Sequence, residues 1–157
     1  MSRSANQWPT APRQCAGVIL LDDQNCILTV RQAYGLRLWG VPGGVVDPGE
    51  MPHTAAVREA LEEIGVHVEL TGIIGTYLLM GRGWPDIQAY MFTANITAGT
   101  PRVVDKREIA ALEWRSPVDL PSPLLPDVAA ALEDLRMGHA GAVRGVTRQL
   151  DLSRVPL

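Results

Sequence analysis

A chain of 157 residues, 46% hydrophobic and 20% charged, suits one domain with its own apolar core and excludes the disordered, collagenous and disulfide-scaffold classes. Its net charge of −3 supplies no broad basic field, so nucleic acid is not an expected partner. Its two cysteines, Cys15 and Cys26, lie in apolar runs and read as buried free thiols.

Residues 1–13 are polar, carry Pro9 and Pro12, and read as a disordered segment without the apolar stretch of a secretory signal. No window is long and apolar enough to span a membrane, and the expected location is the cytoplasm. Gln14 to Leu21 and Cys26 to Val30 are apolar, β-branched runs separated by Asp22-Asp23-Gln24-Asn25, which predicts a β-hairpin. Trp39, Gly40, Pro42, Gly43, Gly44, Pro48 and Gly49 then crowd one stretch with structure breakers and predict a shaped loop.

From Pro52 to Ile64, Ala56, Val57, Ala60, Leu61 and Ile64 recur at steps of three and four, the period of an amphipathic helix. Gly65 supplies the stop, and Pro52 at the first helical position makes Met51 the cap residue. Val66 to Met80 and Ile87 to Ile96 read as strands joined by a loop, Gly81 to Asp86, that holds Trp84. Ile109 to Trp114 is a shorter strand, and Leu124 to Met137 a second helix with Leu125, Val128, Leu132 and Leu135 on one face. The tail, residues 138–157, has no clear period, so the domain is placed at residues 14–137.

The chemistry concentrates in the first helix. Glu59, Glu62 and Glu63 are related by steps of three and four and are expected to project from one side of a helical turn. Like charges so spaced destabilise a helix unless a cation sits among them, and a hard divalent ion suits an all-oxygen ligand set. Mg²⁺ or Mn²⁺ would in turn bridge the carboxylates to the oxygens of a phosphate-bearing substrate. Arg58 on the same helix can pair with Glu50 just ahead of it and brace the glycine loop.

The whole run Gly44-Val-Val-Asp-Pro-Gly-Glu50-Met-Pro-His-Thr-Ala-Ala-Val-Arg58-Glu59-Ala60-Leu-Glu62-Glu63-Ile-Gly65-Val66 resembles the Nudix box at every defining position. The resemblance to the Nudix family extends over Gln14 to Met137. It implies an α+β, α/β/α-sandwich fold in which a mixed sheet lies between helices and a loop-helix-loop motif carries the catalytic groups.

The activity so implied is metal-dependent hydrolysis of a phosphoanhydride bond in a nucleoside diphosphate linked to another moiety, with ADP-ribose or a nucleotide sugar favoured. A nucleoside triphosphate is the alternative substrate. A non-catalytic domain that senses a nucleotide-derived effector is the alternative role.

For the site, the expected metal ligands are Glu59, Glu62, Glu63, the Gly43 carbonyl as the family uses it, and Glu108, which stands six residues before Trp114. Glu62 or Glu63 is expected to accept the proton of the attacking water. Trp84 and Arg82 are the expected substrate contacts, and a homodimer is the expected assembly.

Overall fold

The apolar run that follows Arg13 has no polar alternation because both of its faces are covered. In a computed structural model, which describes residues 11–149, this run is β1 (Arg13–Leu20). It lies inside a five-stranded mixed sheet of order β4-β1-β6-β5-β8, formed with β4 (Gly43–Val45), β5 (His67–Met80), β6 (Ile87–Ala98) and β8 (Ala142–Thr147). β1 runs parallel to β6 and antiparallel to β4. A second, three-stranded sheet of order β3-β2-β7 contains β3 (Trp39–Gly40), β2 (Ile27–Gln32) and β7 (Ile109–Arg115).

Each face of β1 is covered by its own helix. Val18 and Leu20 share a core with Ala55, Ala56, Ala60 and Ile64 of α1 (Pro52–Ile64). Ile19 instead joins Val128, Ala131 and Leu132 of α2 (Pro126–Arg136) in the opposite core. The result is a helix, sheet and helix sandwich. Tyr77 ties α2 to the sheet, its hydroxyl donating to Asp134 at 2.8 Å, while Arg144 on β8 bonds the same carboxylate at 3.1 Å.

Three sequence expectations change. The hairpin does not form, although its turn does: Asp22 accepts from the amides of Gln24 and Cys26 at 2.9 and 2.8 Å. After a single bridge between Leu21 and Ile27, β1 and β2 part into different sheets, because each finds longer partners elsewhere. The breaker-rich loop holds two short strands, β3 and β4, whose glycines let neighbouring chain come close. The tail contains β8, a sheet edge running parallel to β5. β8 alternates half-buried and exposed residues, so its period of two lacks the apolar contrast that would mark a strand. The terminal residues, 1–10 and 150–157, lie outside the described residues, as does most of the expected N-terminal disordered segment.

α1 begins and ends where its sequence places it. Gly65 takes the left-handed conformation, φ 71°, and its amide closes the last turn on the Leu61 carbonyl. At the other end Met51 is extended, makes no side-chain cap bond and is 59% exposed. A threonine there would accept one of the unpaired first-turn amides, so Met51→Thr should stabilise the fold by about 0.5 to 2 kcal/mol. Thermal melts would show a raised midpoint. An unchanged or lowered midpoint would mean that the methionine contributes packing worth as much as the cap.

Candidate active site

The glycine loop and the second half of α1 are pressed together, and this contact organises the carboxylates. Gly43 and Gly44 pair with Gly17 and Ala16 of β1, and a methyl group on Gly43 would overlap the Ala16 carbonyl. On Gly44, a Cβ would stand 2.5 to 2.8 Å from the carboxylate atoms of Glu59. Close approach of backbone thus requires glycine at position 43, whereas at Gly44 a side chain would displace the Glu59 carboxylate.

Arg58 is the hub of this arrangement. Its guanidinium forks onto Glu50 with bonds of 2.8 and 2.9 Å, and also donates to the Val45 carbonyl at 3.0 Å. The pair expected between Arg58 and Glu50 is thus present, and it fastens the loop to the helix. Two further bonds extend from the same guanidinium to Glu59 at 2.9 Å and Glu62 at 3.0 Å. The Arg58 bonds hold the Glu50 carboxyl down at about 2 and raise the pKa of Arg58 itself.

The three helix glutamates do not share one face equally. Glu62 is open to solvent, Glu59 is partly covered, and Glu63 is turned inward, 7% exposed, with a carboxylate oxygen accepting the Gly43 amide at 3.0 Å. Adjacent helical positions lie about 100° apart, so Glu62 and Glu63 had to diverge. Burial pushes the Glu63 carboxyl up to about 8 against the lowering effect of the Gly43 bond, and the charges of Glu59, Glu108 and Glu62 add to the rise. Burial raises Glu59 as well, with Arg58 opposing.

Glu108 is exposed in the loop before β7, near enough for its charge to raise both of these carboxyls. Of the other acidic residues in that region, Asp105 is held by Arg107 at 3.1 Å and Glu113 by Arg115 at 2.9 Å.

These residues suit a divalent cation in chemistry. The donors are all oxygen and mutually repulsive, Glu59 and Glu63 are desolvated, and Gly44 leaves the Glu59 carboxylate space that a side chain would fill. In their present rotamers, Arg58 serves as the cation for Glu59 and Glu62. No three acidic, histidine or cysteine side chains converge on one point among the described residues. Each of these two carboxylates keeps one oxygen, Oε2 of Glu59 and Oε1 of Glu62, outside its bond to Arg58.

Beside Glu63 opens a cavity of about 320 Å³, lined by Gly43 and Gly44 and walled by apolar side chains including Val41, Leu79, Met91 and Leu125. Sequence reasoning did not find this cavity, since its walls come from β1, β2, β6 and α2 and share no local pattern. It also missed Asp127, a buried lining residue whose position in the first turn of α2 reads from sequence as ordinary helix chemistry. Cys15 lines the cavity too, and burial followed by the charge of Asp127 pushes its thiol up to about 11, which disfavours the thiolate.

Trp84 and Arg82 are elsewhere. Trp84 is 47% exposed, its ring centre 5.8 Å from the guanidinium carbon of Arg82 and 5.6 Å from that of Arg148, and neither Trp84 nor Arg82 lines the cavity. Arg148, 5% exposed, holds this loop by donating to the carbonyls of Gly81, Trp84 and Pro85.

The model of the NUDIX domain matches residues 11–135 of this chain. The chain belongs to the Nudix family. A putative 8-oxo-dGTP diphosphatase of Bacillus subtilis is 38% identical over 125 residues, 80% of each chain. An ADP-ribose pyrophosphatase of Mycobacterium tuberculosis is 30% identical over 103 residues, 62% of this chain and 49% of the other. Among solved structures, a MutT NUDIX hydrolase from Burkholderia pseudomallei superposes with a TM-score of 0.75 at 30% identity, over 80% of this chain and 99% of that one. The protein is thus a Nudix hydrolase, an enzyme acting on phosphorus-containing anhydrides, in a family that generally needs a divalent metal ion.

Proposed function

We propose that this Nudix hydrolase cleaves the phosphoanhydride of a nucleoside triphosphate whose base enters the 320 Å³ cavity. The observation that carries this reading is the position of Glu63, a box carboxylate that lines the cavity wall. That volume is at the small end of ligand sites, about 300 to 1,000 Å³, and suits one heterocycle with part of its sugar. The similarity to a relative named for 8-oxo-dGTP supports a triphosphate. ADP-ribose or a nucleotide sugar, favoured by the sequence, would leave its second moiety outside the cavity, and Trp84 and Arg82 are the contacts proposed for such a projecting group.

In this proposal Glu59, Glu62 and the Gly43 carbonyl hold Mg²⁺ or Mn²⁺, with Glu108 completing the set. When bound, such an ion neutralises phosphate charge and acidifies a coordinated water. Glu63 accepts the proton of the attacking water, since it is the helix carboxylate that lines the cavity, and a cation bound beside it would favour the ionised form that this role needs. Arg58 and Glu50 act as positioning residues, holding the loop on the helix.

A panel of nucleoside triphosphates, ADP-ribose, nucleotide sugars and dinucleoside polyphosphates, assayed with each metal, tests the reading. Triphosphates should show the highest kcat/KM. A higher value for ADP-ribose or a sugar nucleotide would overturn the triphosphate assignment, and binding without turnover of any compound would favour an effector sensor.

A further inference from the structure

The segment between β6 and β7 is laid against the C-terminal end of α1. The amides of Arg102 and Val104 donate to the Ile64 and Glu63 carbonyls, both at 3.0 Å, and so satisfy two acceptors that a helix end leaves open. A tight turn follows. The Asp105 carboxylate accepts the Arg107 amide at 3.0 Å, and the Asp105 carbonyl accepts the amides of Glu108 and Ile109 at 3.2 and 2.9 Å. Lys106 stands in this turn and lines an open groove with Glu62, Val104, Asp105 and Arg107.

Lys106 is the one lysine in the chain. The Arg107 guanidinium turns back onto Asp105 at 3.1 and 3.2 Å, whereas Lys106 has no ion pair among the described residues. Simple solvation would account for an exposed ammonium anywhere on the surface. Here the pinned backbone places it in a groove with Glu62, and the neighbouring guanidinium is already neutralised.

The carboxylate cluster therefore has two borders. The 320 Å³ cavity meets it at Glu63, and the groove meets it at Glu62, whose side chain diverges from that of Glu63. A nucleotide seated in the cavity would run its phosphates across the carboxylates toward the groove. Each added phosphate brings more negative charge against Glu59, Glu62, Glu63 and Glu108, so a terminal phosphate needs a cation beyond a metal held at Glu59.

We infer that Lys106 is a specificity-determining residue that binds the terminal phosphate of a nucleoside triphosphate and so selects it over the diphosphate of the same nucleoside. An ammonium offers three donors and a compact positive charge on a flexible stem, which suits a tetrahedral phosphate end. This rests on the nucleotide reading of the cavity given above and adds the residue that distinguishes the length of the phosphate chain.

Calorimetric titration of the full chain, with Mg²⁺ present, uses guanosine triphosphate and diphosphate analogues in which methylene groups replace every bridging oxygen between phosphorus atoms. Neither can be cleaved, so binding is read apart from turnover. Wild type should prefer the triphosphate analogue. Lys106→Gln should lower the affinity for that analogue at least about 5-fold and leave the diphosphate analogue within about 2-fold, the size of a charge-assisted bond at an exposed site. Lys106→Arg, which keeps the charge, should retain most of the preference.

The wild-type protein supplies a second readout, because reductive methylation with isotopically labelled formaldehyde keeps the charge and marks Lys106 alone among the side chains. Its magnetic-resonance signal should move on adding the triphosphate analogue and stay in place with the diphosphate analogue. Equal binding of the two analogues by wild type, an undiminished preference in Lys106→Gln, a loss that falls equally on both analogues, or an unmoved signal would each overturn the assignment. If ADP-ribose is the best substrate yet the Lys106-dependent preference is found, the triphosphate reading falls and this inference stands. If triphosphates are hydrolysed best and the analogues bind equally, the reverse holds.

Discussion

Glu63→Gln should lower turnover by at least about 100-fold, the usual share of a positioned acid or base. Glutamine keeps the side chain's shape and can still meet the Gly43 amide through its carbonyl oxygen, so folding is preserved while proton acceptance is removed. Glu62→Gln should lose a comparable amount for a different reason. Glu62 is exposed and bonded to Arg58, and its proposed part is to hold the metal. Raising the metal concentration should therefore restore much of the Glu62→Gln activity and little of the Glu63→Gln activity. Wild-type-like turnover in both variants sinks the assignment of these carboxylates to catalysis, and recovery of Glu63→Gln at high metal makes Glu63 a ligand instead of the base.

The second large effect runs in the opposite direction, on stability. In the unfolded chain Glu63 has its ordinary value near 4.5, whereas in the fold it is raised to about 8. A raised carboxyl is protonated in both states below the lower value, so its contribution is fully present there. Between roughly 4.5 and 8 the unfolded chain ionises while the buried group resists, and stability falls with rising pH. The full gap corresponds to an upper limit of about 5 kcal/mol.

Metal-free Glu63→Gln should accordingly melt above wild type at pH 8 and draw level with it near pH 4.5. The difference between the two proteins isolates Glu63 from other groups that titrate in the same range. Mg²⁺ or Mn²⁺ should raise the wild-type midpoint most at high pH, because a ligand that binds only the folded state stabilises it. If wild type and Glu63→Gln show parallel pH profiles without metal, the carboxyl does not carry the desolvation described here.

The pairing of these effects has one cause. A buried carboxylate cluster is costly in an apo fold, and Arg58 relieves it only on the side of Glu50, Glu59 and Glu62. Glu63 has an amide partner and, among the described residues, no cation in a salt bridge with it. Removing that charge should gain stability and lose chemistry, the trade expected where a site holds strained electrostatics for a ligand.

What the sequence determined by itself is local. The α1 helix, its Gly65 stop and its uncapped Met51 start follow from a 3.6-residue period and from chemistry within a few positions, so they are readable along the chain. So is the pairing of Arg58 with Glu50, because both belong to one motif whose spacing sets their reach.

Tertiary structure decided everything that depends on which strands become neighbours. The turn at Asp22 could have closed a hairpin, but β1 found β4 and β6 while β2 found β3 and β7, a choice made by burial on two faces and not by the turn. The separation of Glu63 from Glu62 arises because the glycine loop covers one side of α1 only. The cavity and Asp127 are furthest from sequence reach, since residues more than a hundred positions apart must pack before an aspartate of α2 shares a wall with Cys15 of β1. Spacing along the chain encodes a helix face; only the packed sheet brings that face to a pocket.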